Sequence, residues 1–224
     1  MTTNLCRRLT FALAGLALAS RLGAQVAGVP IRNGGVGQGI SVGVDFGAGR
    51  IDRPGASGGD DVSRAIAGSA TLGFGPLGVT GTVSRMSINP ATGPDRHQTT
   101  AGITADLVTF GGPLVPFRLL WQGGYARRLG GDGPRPWRAT IGIGASLTIP
   151  TVILSIKPWL GPRLEYRGDQ PATGSRLRPA LAAGVDVGLI NGVSLRVGYD
   201  NRLGWDEGTE RAAGISVGVS YHFR

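Results

Sequence analysis

Few residues in this chain could do chemistry. Its 224 residues include two histidines, His97 and His222, and one cysteine, Cys6. Asp95 precedes His97 by two positions, and the adjacent pair Asp60 and Asp61 lies in an earlier polar stretch. Carboxylates and an imidazole of this kind could hold a proton for an attacking water. His222 alternates with Ser220 and Ser216, which suits a hydrogen bond better than a nucleophilic triad. Cys6 falls in a segment expected to be removed, so the mature chain would carry no thiol, disulfide or thiolate metal site. There is no GxxxxGK[ST] loop, and Gly35, Gly37 and Gly39 lead into no helical pattern, so nothing cradles a phosphate. The residues therefore point to no catalytic group, no metal and no cofactor.

The elements that would carry these groups are constrained by composition. Forty glycines and 14 prolines argue against a helical bundle. An apolar share of 41% with 17% charged residues describes a chain that folds. Twenty-three basic residues, only Lys157 a lysine, stand against 14 acidic ones and give a net charge of +9. That balance suits phosphate-bearing partners.

Residues 1–24 have the form of a signal peptide: Arg7 and Arg8, an apolar run from Leu9 to Ala19, then Gly23 and Ala24 before a cleavage point at Gln25. Residues 25–37 are Gly-rich and lack alternation, which makes them a periplasmic lead-in to a domain over 38–224.

Within 38–224 the recurring signal is a period of two. Ile215, Val217, Val219, Tyr221 and Phe223 interleave with Gly214, Ser216, Gly218, Ser220 and His222. Similar runs begin near 39, 63, 77, 98, 117, 137, 153, 177 and 193. No run reaches the roughly eighteen apolar residues of a membrane helix, but strands of ten or more match the nine to eleven of a tilted membrane strand. One face is bulky and apolar and the other is Gly, Ala, Ser, Thr and scattered charge, as expected when lipid lies outside and a polar lumen inside. The predicted fold is all-β: an antiparallel up-and-down transmembrane barrel of about ten strands, or eight if the two proline-bearing runs are loops. Polar stretches after odd-numbered strands and tight breaks after even ones predict long outer loops and short periplasmic turns.

The last strand adds a more specific sign. Ser216, Gly218, Tyr221 and Phe223 fill the polar, glycine, aromatic and hydrophobic positions of a closing-strand assembly signal, and on these residues the chain resembles Gram-negative outer-membrane β-barrels. The resemblance implies outer-membrane localisation, contact with outer-membrane lipid and lipopolysaccharide, and the barrel assembly machinery as a partner during biogenesis. It implies no nucleic acid and leaves subfamily and oligomeric state open. Asp60, Asp61, Asp95 and His97 faintly resemble the paired aspartates and Asp-x-His of omptin proteases, in which one pair activates a water.

Parity then assigns faces. A three-residue loop at Ile190–Gly192 places Asp186 opposite Arg196 in the lumen, and a loop at 150–153 places Arg138 opposite Glu165, Ile149 opposite Leu154 and Trp137 opposite Tyr166. Asp45, Asp106, Asp200, Arg118, Arg163 and Arg178 also point inward. Tyr125, Trp137, Tyr166 and Tyr199 near the loops, with Phe74, Phe117 and Phe223 near the turns, form two aromatic girdles. Loop arginines such as Arg50, Arg96, Arg127 and Arg176 could grip lipopolysaccharide phosphates, but Asp52, Asp60, Asp61, Asp132, Asp169, Glu207 and Glu210 interleave with them and favour a mixed, solvated loop surface. The expected function is a non-enzymatic outer-membrane barrel with a structural, adhesive or narrow-pore role. The alternatives are an omptin-like endopeptidase and a small diffusion channel whose lumen is left unfilled by Gly142, Gly144, Ala180, Ala182 and Gly184.

Overall fold

A computed structural model describes residues 39–52, 61–90, 93–111, 115–130, 137–168, 176–189, 191–203 and 211–223. The expected signal peptide and lead-in lie outside these residues. Alternating side chains give β1 (Gly39–Asp52), β2 (Asp61–Phe74), β3 (Leu77–Asn89), β4 (Arg96–Phe110), β5 (Phe117–Gly130), β6 (Trp137–Leu147), β7 (Ile149–Pro150), β8 (Leu154–Arg167), β9 (Leu177–Leu189), β10 (Val193–Arg202) and β11 (Arg211–Phe223). β6 and β7 are one strand interrupted at Thr148, so the eleven segments make ten staves. Each stave pairs antiparallel with its sequence neighbours, and β11 returns to β1. The barrel is closed. The eight-strand alternative fails because the proline-bearing runs are themselves the long strands β8 and β9.

Backbone partners show how closure is achieved. Followed round the ring from Gly39 through Gly73, Gly78, Asp106, Gln122, Gly142, Arg163, Ala180, Arg202 and Ala212, they return to β1 at Ile51 rather than at Gly39. With strands about 4.8 Å apart and about 3.3 Å per residue, that stagger tilts the staves by about 40°.

The tight connections fix the registers. Gly75 (φ 63°) turns β2 into β3, and Gly192 (φ 84°) turns β9 into β10; both occupy the left-handed region that glycine tolerates. The second turn sets Asp186 opposite Arg196. Between β6 and β8 the register differs from expectation by two residues: Ile149 pairs with Ile156, Arg138 with Arg167 and Thr140 with Glu165. The loop lies one residue later than expected, at 151–154 between the paired Pro150 and Ser155, and is held by Thr151 Oγ1 donating to the Leu154 carbonyl at 2.7 Å. A shift of two preserves parity, so every face stays as assigned. The ladder is interrupted beside Pro158 and Pro162, which have no N–H to donate.

Bulky residues such as Ile40, Val42, Val44 and Phe46 are exposed outside, while Asp45 between them is buried inside. The interior is not uniformly polar. Ile51, Ala65, Met86, Ile88 and Ala212 form an apolar cluster on the inner faces of β1, β2, β3 and β11.

Candidate functional site: the barrel lumen and its rim

Buried charged side chains stand elsewhere in the lumen among Ser and Thr, and two networks of them are resolved among the described residues. Nearer the turns, Arg196 Nε donates to Asp186 Oδ1 at 2.9 Å, and Arg196 Nη1 donates to Asp45 Oδ1 at 3.3 Å. Trp159 Nε1 donates to the same Asp186 oxygen at 3.3 Å, and Lys157 stands opposite Asp186. One arginine thus ties β9 to β10 and to β1.

Nearer the loops, Arg163 donates to Glu165 Oε1 through Nε (3.0 Å) and Nη2 (2.7 Å), and through Nη2 to both oxygens of Asp200 at 2.8 and 3.0 Å. Glu165 Oε2 also lies 3.0 Å from Arg202 Nε and 3.9 Å from Arg138 Nη1. Arg138 thus reaches Glu165 diagonally, although Thr140 is its backbone partner. Charges removed from water on this scale are tolerated only when paired and hydrogen-bonded. Here three arginines converge on one carboxylate.

The small inward residues do not leave empty volume. A side-chain carbon at Gly184 would meet the Trp159 ring, one at Gly144 would meet Leu120 at 2.8 Å, and one at Gly142 would meet Arg163 Cβ at 2.7 Å. Ala180 and Ala182 are themselves buried. The expectation of an unfilled lumen at these positions is therefore corrected: small residues on one strand accommodate large ones from the next. A recess of about 40 Å³ remains between β4, β5, β6 and β8, lined by Thr104, Asp106, Gln122, Arg138, Thr140 and Arg202 among others. That is room for a few water molecules.

No protein-family profile matches the chain, and no curated protein matches it in sequence. Solved structures do match. LpxR from Salmonella typhimurium aligns over 83% of this chain and 100% of its own, at 8% identity and a TM-score of 0.50. The β domain of the Bordetella autotransporter BrkA covers 83% and 100% at 17% identity with a TM-score of 0.49. The outer membrane protease OmpT from Escherichia coli covers 89% and 99% at 9% identity with a TM-score of 0.48. The fold is that of the outer-membrane β-barrels. Identities this low concern the fold alone.

On the outside of this outer-membrane-type barrel, the aromatic residues singled out in the sequence occupy outward-facing positions. Tyr125, Trp137 and Tyr166 come together on β5, β6 and β8, with successive ring centroids 5.9 and 5.5 Å apart. Arg176 Nη1 donates to the Tyr166 hydroxyl at 3.4 Å. Tyr199 stands apart on β10, between Ala183 and Ile215. Phe74, Phe117 and Phe223 are exposed at the turn ends, and Phe110, which sequence reasoning did not single out, lies 6.3 Å from Phe117.

The four closing-strand residues divide between faces. Tyr221 and Phe223 are exposed outside, 4.9 Å apart and edge-on, whereas Ser216 and Gly218 face the lumen. The candidate proton-transfer groups are not gathered. Asp61 is buried in the lumen, His97 is exposed outside, and Asp95 Oδ1 accepts a 3.1 Å hydrogen bond from Asn89 Nδ2. Asp60 lies outside the described residues. Among the described residues no cluster of His, Cys, Asp or Glu is placed to hold a metal.

Sequence reasoning missed Arg202 as a lumen group. Arg202 looked like a loop residue, yet β10 runs on to include it and it is buried against Glu165. Its parity with Arg196 and Asp200 was the available signal.

Proposed function

We propose that this chain is exported, cleaved after Ala24 and inserted in the outer membrane as a non-enzymatic barrel with a sealed lumen, serving a structural or adhesive role through its outer loops. The observation that carries this reading is the pair of ion networks, which occupy the lumen along one arc of the wall and fasten β8 to β10 and β9, β10 to β1. Ten strands enclose little more than side chains can fill, whereas open porins use sixteen or more. The fold resemblance supports the location, and the scatter of Asp61, Asp95 and His97 favours a reading without catalysis.

Two measurements test it. Membrane fractionation with heat-modifiable migration on gels should recover the protein as a folded outer-membrane species; a soluble periplasmic protein would refute the location. In planar bilayers the purified protein should give no channel events in several salts. The polar recess beside Asp106 and Gln122 supports a second reading as a narrow pore, and steady conductance steps would establish that reading instead.

A further inference from the structure

Arginines stand on the lipid-facing side of one half of the barrel. Arg50 on β1, Arg64 on β2, Arg85 on β3 and Arg127 on β5 are all exposed at outward positions near the loop ends of their strands. Their registers make a level row. Arg50 pairs with Val62 and Arg64 lies two residues nearer the turns; Arg64 pairs with Ser87 and Arg85 again lies two residues nearer the turns. Each step back cancels the climb that strand tilt imposes from stave to stave. Arg127 continues the row across Ala101 of β4, two residues from Thr99, the partner of Arg85.

Directly below, on the same outer faces, come Phe46, Ile66, Val83, Ile103 and Tyr125, each exposed by 44% or more. The row therefore marks the upper edge of an apolar band. An arginine is costly deep in hydrocarbon but nearly neutral at the interface, where its stem can lie along lipid while the head reaches the polar layer. Like charges on neighbouring strands still repel unless an anion joins them. Among the described side chains no carboxylate faces outward on β1 to β5, and Arg64, Arg85 and Arg127 have no ion pair there. Among the described side chains, the other half of the barrel presents Trp137 and Tyr166 at the corresponding rim and no such row.

An anion suited to this place must be amphiphilic, because its phosphate meets planar guanidinium forks while its body lies against Ile66 and Val83. Arg64 and Arg85 stand one strand spacing and two residues apart, roughly 8 Å from backbone to backbone, a span that a headgroup carrying two phosphates can bridge. We propose that Arg64 and Arg85, flanked by Arg50 and Arg127, form a binding site for a bis-phosphorylated lipid of the outer leaflet. This rests on the reading of the chain as an outer-membrane barrel.

The test uses the full chain folded in neutral detergent, with bis-phosphorylated lipid A as probe, its dephosphorylated form as matched control and inorganic phosphate as competitor. The folded, heat-modifiable protein should bind the phosphorylated lipid at least tenfold more tightly than the control. The double change Arg64→Gln with Arg85→Gln should abolish that preference, Arg64→Lys with Arg85→Lys should keep part of it, and Arg176→Gln should keep all of it. Equal binding of both lipids, or full retention by the Gln pair, overturns the site. Complete displacement by free phosphate at equal concentration overturns the lipid as its ligand. Failure to obtain any heat-modifiable species would refute the barrel reading itself, a result separable from a folded barrel that binds no lipid.

Discussion

Gly218 of the closing strand leaves the space that the Asp45 carboxylate of β1 occupies: a side-chain carbon at 218 would collide with Asp45 Oδ1. From that position Asp45 reaches Arg196 at 3.3 Å. The glycine of the closing strand therefore has a packing reason independent of any recognition during assembly. Gly218→Ala should lower the unfolding midpoint of protein refolded in detergent, where no assembly machinery acts, by about 1–3 kcal/mol. Combining it with Asp45→Ala should cost less than the two separate losses added together. Simple additivity would show that the two residues do not meet.

The Arg196 pair offers a second test. Asp186→Asn should destabilise by about 1.5–3 kcal/mol, the range for a hydrogen bond to a charged group, because the two side chains keep only 15% and 12% of their surface. Adding Arg196→Gln should recover part of the loss. Denaturant titration followed by gel migration reads both, and a loss below about 0.5 kcal/mol would place the pair in free water.

Glu165 should matter more. Glu165→Gln leaves Arg138, Arg163 and Arg202 around a neutral amide, and should cost roughly 3–5 kcal/mol. Glu165→Gln with Arg202→Gln should be more stable than Glu165→Gln alone. The opposite order would mean that Arg202 is held by other groups.

Trp121 and Trp159 lie on opposite faces of the wall, 50% and 7% exposed. In variants retaining only one tryptophan, brominated lipid should quench Trp121 strongly and Trp159 weakly. Equal quenching would contradict the orientation of the staves.

Enlarging the lumen should open it. Trp159→Ala removes the ring that fills the space beside Gly184 and Gly198, and combined with Arg163→Ala it should convert a silent barrel into one with measurable bilayer conductance. Silence in the double variant, confirmed folded on gels, would mean that other groups close the passage.

The alternation of Ile215 to Phe223 made the strands and their faces legible because a period of two survives in sequence whatever the register. The β9–β10 register was legible too, since Gly192 closes a short loop of known geometry. The β6–β8 register was not: two prolines interrupt the ladder, and no turn residue reveals that its loop begins one residue later, at 151. Nor could composition show that Gly184 accommodates Trp159, a relation that depends on which residues of β8 and β9 stand side by side. Strand ends were blurred where charged residues such as Arg202 continue the pairing into the loop side. Parity alone could not identify the apolar cluster of Met86 and Ile88, because inward positions elsewhere are polar.

Pro158 and Pro162 give the cylinder a line of least resistance. Between β6 and β8 the pairing lapses after Gly142 and Arg163, resumes at Ala145 and Leu160, and lapses again before Ile149 and Ile156. The join of first and last strands, by contrast, is continuous from Ile40 to Asp52. A ring under load parts where it is least stitched, so this wall should unzip between β6 and β8, mid-chain, while its two ends stay fastened together. Within 143–147, the backbone amides directed at β8 should then exchange with solvent deuterium ahead of those in β1 and β11.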